Sequence, residues 1–132
     1  MQNFLSLLIL SDAHARLRFW GAIVLFVLNV IIGSIPGARA GAAEIASGLV
    51  LHSFGYSVLA FLLFTGCTGL PSQRAMKAVL GVALMGAVDE FVQSFLPYRH
   101  GSISDWLVDM MAAVLTASVM KLLWSTFKAR RA

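Results

Sequence analysis

The stretch that decides the fold is "VDEFVQSFLPYRHGSISDWLVDMM", residues 88–111. Asp89, Glu90 and Gln93 sit in a run that otherwise looks membrane-spanning. Arg99 and His100 follow in a short loop, and Asp105 and Asp109 enter the next apolar run. Four carboxylates in so apolar a setting need a reason.

The whole chain shares that setting. Of 132 residues, 59% are hydrophobic and only 12% charged. Mean hydropathy is +0.84. Soluble domains carry about a quarter charged residues. An all-α, polytopic membrane protein with a single integral domain over residues 1–132 is therefore expected. Cys67 is the sole cysteine, which excludes an intrachain disulfide and a cysteine-built zinc site. The net charge of +4 is no nucleic-acid signal, because the cations flank apolar runs. The bilayer is the expected partner, nucleic acid is not, and no cofactor is expected.

A crossing helix needs about 20 mostly apolar residues. Four runs qualify, at about 17–35, 45–67, 75–97 and 103–124, predicting a four-transmembrane-helix bundle. Residues 4–10, "FLSLLIL", are too short to span and suggest an interfacial or packing segment. No basic n-region precedes them, so a signal peptide is not expected. Four crossings put both termini on one side with Arg16, Arg18, Arg74, Lys77, Lys121, Lys128, Arg130 and Arg131. Only Arg39 and Arg99 fall on the other. That bias of eight to two predicts cytoplasmic termini. Trp20 and Trp124 are then expected at the inner interface, Trp106 and Tyr98 at the outer one. The basic tail "KARRA" suits a topology anchor.

Helix rise places the polar groups in depth. Asp89 and Glu90 lie roughly 18–20 Å along the third run from Lys77, beyond the middle of a roughly 30 Å core. His52 lies about 10 Å in from the outer side, Asp105 near that surface and Asp109 one turn deeper. Asn29 of the first run lies slightly outside the midplane. The polar groups thus meet in the outer half. His52 and Tyr56, Asp89 and Gln93, and Asp105 and Asp109 are each i, i+4 pairs on one helix face. Such stripes should face one another or a wet cavity. Arg99 is suited to pairing with Asp105 or Glu90, or to holding a phosphate or carboxylate. Gly101 allows a sharp turn, and Ser102 or Ser104 can cap the last helix. Glycines 48, 55, 81 and 86 are expected at close helix contacts. His52, Glu90 and Asp105 have ligand types suited to a divalent ion, although nothing in their spacing demands one.

"DEFVQSFLPYRHGSISDWLVD" resembles the VanZ-like membrane family: an acidic pair, then Gln, then Pro and Arg, then Asp opening the last helix. "LHSFGY", with His52 and Tyr56, is similar to that family's His on the second helix, and "SIPG" to its Ser and Pro after the first. The likeness covers about residues 17–125. It departs at Asp109 and the following Met110-Met111-Ala112-Ala113, where the family usually has Asn and then glycines.

The resemblance implies a bacterial inner-membrane protein near the outer face where teicoplanin-type glycopeptides act. It suggests that His52, Tyr56, Asp89, Glu90, Gln93, Arg99, Ser102, Asp105 and Asp109 form a ligand site. The expected ligand is an anionic or polyprenyl-phosphate lipid, or a cell-wall-precursor head group. Reduced susceptibility to glycopeptide or lipoglycopeptide antibiotics would follow. Two alternatives stand beside this reading. One is a structural or assembly partner of another membrane protein, or of a second copy. The other is a membrane enzyme acting on a phosphorylated polyprenyl lipid, although no nucleophile motif is present.

Overall fold

The computed structural model describes residues 11–43 and 47–129. Every regular element among the described residues is helical. A single 3-10 turn, Asp12–His14, leads into α1 (Ala15–Gly33). A short α2 (Ala38–Ala43) follows, then α3 (Gly48–Gly66), α4 (Pro71–Ser94) and α5 (Ile103–Ala129). The expected short segment at 4–10, residue 45 and the tail cations Arg130 and Arg131 lie outside the described residues, as does the Lys128 side chain.

Three segments are long and apolar enough to cross a membrane: Asp12–Gly33, Gly48–Gly66 and Ile103–Phe127. Helix α4 is long enough, at 24 residues, but Arg74, Lys77, Asp89 and Glu90 lower its hydropathy. Its outward face is nonetheless apolar. Met76, Leu80, Leu84, Val88, Phe91 and Phe95 are all exposed at helical spacing, while Arg74, Asp89, Glu90 and Gln93 point inward and are buried. The same inversion runs through the molecule. Leu17, Val24, Leu28, Ile31, Phe54, Met111, Leu115 and Leu122 are exposed, and the carboxylates Asp89, Glu90 and Asp109 are not. Water would penalise that arrangement, whereas hydrocarbon favours it.

Helices α3, α4 and α5 pack mutually, and α1 leans on the flank of α3. Tyr56, Leu59, Ala60, Leu63 and Phe64 of α3 meet Ala78, Val82 and Met85 of α4 and Ala113, Met120 and Trp124 of α5. Association inside hydrocarbon depends on close packing at small residues rather than on water exclusion. Gly66 gives the tightest example. A Cβ there would stand 2.5 Å from the Phe19 backbone nitrogen, so α1 and α3 touch backbone to backbone. Gly81 and Gly86 mark close contacts too, against Leu63 and Trp106. Gly55 does not mark one: nothing lies within 4 Å of its would-be Cβ. It borders a cavity instead.

Helix limits follow local chemistry more than hydropathy. Helix α4 starts at Pro71, ahead of the apolar run expected from residue 75, because proline's fixed φ suits a first turn. Gln73 Oε1 accepts the Leu70 N–H at 3.0 Å, filling an otherwise orphaned donor position. Gly69, at φ +117°, makes the turn from α3 possible. At its other end α4 stops at Ser94, short of Pro97, since proline disfavours helix in the residue before it.

The end of the bundle near Arg74 is held by two cations, Arg74 buried and Arg18 half-buried, that were expected only to set topology. Arg74 is 1% exposed. Its Nη2 lies 2.6 Å from Asp12 Oδ1, its Nε donates to Gly69 O at 2.9 Å, and its guanidinium carbon sits 4.2 Å from the Trp124 ring centroid. Arg18 donates from Nε and Nη2 to Thr65 O at 3.2 and 2.9 Å, binding α1 to the carbonyl end of α3. Trp124 therefore turns inward, where an interfacial anchor was expected, while Trp20 is exposed. The Arg74 end therefore carries polar groups of its own, beside those at the Asp89 end.

Candidate functional site

Sixteen residues of α4 separate Arg74 from Glu90, or roughly 24 Å of helix. At that far end the carboxylates converge. Asp89 is 5% exposed, Glu90 9%, Gln93 3% and Asp109 0%. Helix α3 supplies His52 and Tyr56, α4 supplies Asp89, Glu90 and Gln93, and α5 supplies Asp105 and Asp109.

Each contact joins two helices. His52 Nδ1 lies 2.9 Å from Asp109 Oδ1, linking α3 to α5 by a hydrogen bond. The other ring nitrogen, Nε2, stands 3.9 Å from Asp105 Oδ2. One imidazole thus bridges two carboxylates a turn apart on α5. Tyr56 Oη donates to Asp89 Oδ2 at 3.0 Å, linking α3 to α4. The His52 and Tyr56 rings stack at 6.0 Å, as their i, i+4 spacing allows.

Glu90 works on the α4–α5 loop. Its Oε2 accepts the Ser102 N–H at 2.6 Å. Ser102 Oγ accepts the Asp105 N–H at 3.3 Å, so the serine caps α5 while the glutamate holds the serine. Ser102 Oγ and Ser104 Oγ share a further hydrogen bond of 2.6 Å. Gly101 packs so closely that a Cβ would fall 2.5 Å from Glu90 O. Trp106 Nε1 donates to Ala83 O at 3.0 Å, clamping α5 onto α4.

Between α1, α2, α3 and α4 lies a cavity of about 210 Å³. Asp89, Gln93, His52 and Tyr56 line it with Asn29 and Arg99. Arg99 Nη1 donates to Gly33 O at 3.2 Å, at the last residue of α1. Tyr98 Oη donates to Ser34 O beside it. The loop 95–102 is therefore tied to the end of α1. A larger apolar groove between α3 and α5, with Leu49, Ser53, Leu107, Met111 and Leu115 on its walls, carries no cluster of charged groups.

All nine residues singled out in the sequence fall at this end of the bundle. Six form the hydrogen-bonded His52–Asp109, Tyr56–Asp89 and Glu90–Ser102 pairs, and Asp105 stands 3.9 Å from His52. Gln93 and Arg99 join them through the cavity wall. Arg99 reaches the α1 carbonyl end, and Glu90 spends one oxygen on Ser102, so Arg99 has a backbone partner that was not foreseen. The short helix α2 and the backbone acceptors Gly33, Ser34 and Ala83 were also unforeseen. Backbone carbonyls carry no signature in a side-chain pattern. Asn29, whose depth was noted, proves to be a cavity residue.

Three buried oxygen atoms at the site have no hydrogen-bond partner: Glu90 Oε1, Gln93 Oε1 and Asp109 Oδ2. Buried polar atoms are rarely left so, and several in one place suit a ligand, ion or water. An imidazole held between carboxylates can also relay a proton.

Comparison with family models, with curated proteins and with solved structures finds no match for this chain.

Proposed function

We propose that the protein is a four-crossing, VanZ-like protein of the bacterial cytoplasmic membrane that binds the head group of an amphiphile near the outer face. The fourth crossing is α4. Its 24 residues span about 36 Å, enough for a roughly 30 Å hydrocarbon core. Hydropathy averages over its charges, but those charges face the bundle and its lipid side is apolar. With the cation bias of the sequence, both termini are cytoplasmic and the carboxylate end is outward.

The observation that carries the functional reading is the cavity with buried Asp89 and Gln93 on one wall and Arg99 on another. It is smaller than the roughly 300–1,000 Å³ of drug-sized pockets, so it suits one head group with the tails left in lipid. Arg99 matches a phosphate or carboxylate. Asp89, Gln93 and His52 match hydroxyl, amide or ammonium donors, which lipid-linked sugars, cell-wall precursors and amino-phospholipids all carry. A protein that holds such a group would alter how glycopeptide-type drugs meet precursors at the outer leaflet.

Native mass spectrometry of gently solubilised protein tests this. Wild type should retain an anionic or isoprenoid-phosphate lipid that survives mild activation, and Arg99→Ala should lose most of it while keeping its helical circular dichroism. Wild type without any specific lipid, or equal retention by Arg99→Ala, would remove the head-group reading.

One specific observation favours a second reading. The pairs His52–Asp109, Tyr56–Asp89 and Glu90–Ser102 tie α3, α4 and the start of α5 together, as a register lock in a structural or assembly subunit would. In that case substitutions here reduce folded yield without changing bound lipid.

A further inference from the structure

The carboxylate end holds two buried acids, Glu90 and Asp109, that the head-group reading leaves unused. One ring nitrogen of His52 and one carboxylate oxygen each from Glu90 and Asp109 lie within 4.8 Å of one another. The three side chains come from α3, α4 and α5, the helices that pack mutually, so their backbones are held in place. Glu90 and Asp109 are both at least nine-tenths buried. Each also keeps one oxygen without a hydrogen-bond partner, Oε1 and Oδ2. Their other oxygens are engaged, by the Ser102 N–H and by His52 Nδ1. Hence each carboxylate is oriented through one oxygen while the second is left over.

We propose that His52, Glu90 and Asp109 form a binding site for a single first-row transition-metal dication, of the class of Zn²⁺ or Mn²⁺. An imidazole with two carboxylates suits those ions better than Mg²⁺ or Ca²⁺, which prefer oxygen ligands alone. Metal–ligand bonds of about 2.0–2.2 Å bring ligand atoms to about 3–3.5 Å from one another. Rotation about side-chain torsions closes the remaining gap without moving a helix. Three protein ligands leave at least one position open to water or a bound group, the pattern of reactive rather than purely structural sites.

Electrostatics supports an ion. Asp89, Glu90 and Asp109 are buried close together, with Asp105 at 33% side-chain exposure beside them. Tyr56 and the Ser102 N–H supply neutral donors to two of them, and His52 Nδ1 is hydrogen-bonded to the third. Three buried carboxylates in one place are costly in low dielectric, and a dication offsets that cost directly. The oriented second oxygens resemble the outer-shell support that metal sites use. The inference does not depend on the head-group reading, because the ion is offered alone.

The experiment uses full-length protein in detergent, stripped by a chelator and checked for helicity. Zn²⁺ and Mn²⁺ are titrated separately by calorimetry, with Mg²⁺ as control. The expected result is one saturable equivalent per chain for Zn²⁺ or Mn²⁺, a raised melting temperature, and much weaker Mg²⁺ binding. Loss of outer-shell partners alone weakens such sites about 10–100-fold. Glu90→Gln, which keeps an oxygen for Ser102, and Asp109→Asn should therefore each weaken binding at least about tenfold. Pulsed electron paramagnetic resonance of the Mn²⁺ form should show an imidazole nitrogen coupling that His52→Gln abolishes. Folded wild type with no saturable equivalent overturns the site, whatever the variants do. So does one equivalent whose affinity both carboxamide variants leave unchanged.

Discussion

Trp124→Ala should cost about 3–5 kcal/mol of stability, the range for removing a large buried aromatic. Its ring is 1% exposed and meets Phe64 edge-on at 5.9 Å. It also carries the face on which the Arg74 guanidinium rests. Alanine would leave a void beside a buried cation, adding lost cation–π attraction to lost packing. Trp20→Ala is the control. That side chain is 58% exposed, so its loss should cost well under half as much. Trp124→Phe should sit between them, because the indole Nε1 has no hydrogen-bond partner to lose. Unfolding in mixed micelles by dodecyl sulfate titration, followed by circular dichroism, gives the ranking. Equal costs for Trp20→Ala and Trp124→Ala would mean that both are interfacial anchors and that the Arg74 cluster holds little.

The second large effect lies at the opposite end of the bundle. His52→Leu removes the partner of Asp109, which is fully buried. Breaking a buried pair on one side costs up to about 3–5 kcal/mol, because the other group stays behind without its partner. Replacing both partners with apolar groups of similar size is often neutral. The double variant His52→Leu/Asp109→Leu should therefore recover most of the loss seen in the single one. It should still bind neither lipid nor metal, since two site residues are gone. The same unfolding titration, run beside native mass spectrometry, separates the two readings of the cluster. A double variant that is stable and retains wild-type lipid would reduce the cluster to a helix lock. One that is stable and empty assigns it to binding.

Much of this was legible in the chain, for physical reasons that differ along it. The i, i+4 pairs His52/Tyr56, Asp89/Gln93 and Asp105/Asp109 fix which groups share a face, and helix rise fixes their depth. Three helices carrying polar stripes at one depth have few ways to avoid facing each other in hydrocarbon. That is why the site residues fall together. What was not legible depended on partners without side-chain signatures. Arg99 binds Gly33 O, Trp106 binds Ala83 O and Tyr98 binds Ser34 O. Arg74 was misjudged for another reason. A cation at the start of an apolar run looks like a boundary residue, and only the fold shows Asp12 and Trp124 closing around it. Gly66 was passed over because one glycine near a helix end looks like a terminator, not a point of backbone contact.

The choice of acid partner at the candidate ion site shows the limit of spacing alone. Asp105 and Asp109 occupy the same face of α5, and His52 lies close to both. The sequence directed attention to Asp105 as the third ligand. Depth favours Asp109, which is 0% exposed and 2.9 Å from the ring, whereas Asp105 is one-third exposed and 3.9 Å away. One helical turn separates a residue at the mouth from one in the interior.

The crossing of α4 underlies the orientation and depth of everything proposed for the carboxylate end, and one measurement tests it directly. In a Cys67→Ala background, Ser72→Cys and His100→Cys are made separately; both positions are exposed, Ser72 in the first turn of α4 and His100 in the loop after it. Each variant is treated with a membrane-impermeant maleimide, first on intact spheroplasts and then after permeabilisation. A crossing α4 with cytoplasmic termini gives labelling of His100→Cys in intact spheroplasts and of Ser72→Cys only after permeabilisation. Labelling of both from the same side would contradict it, and the cavity would lose its place near the outer face.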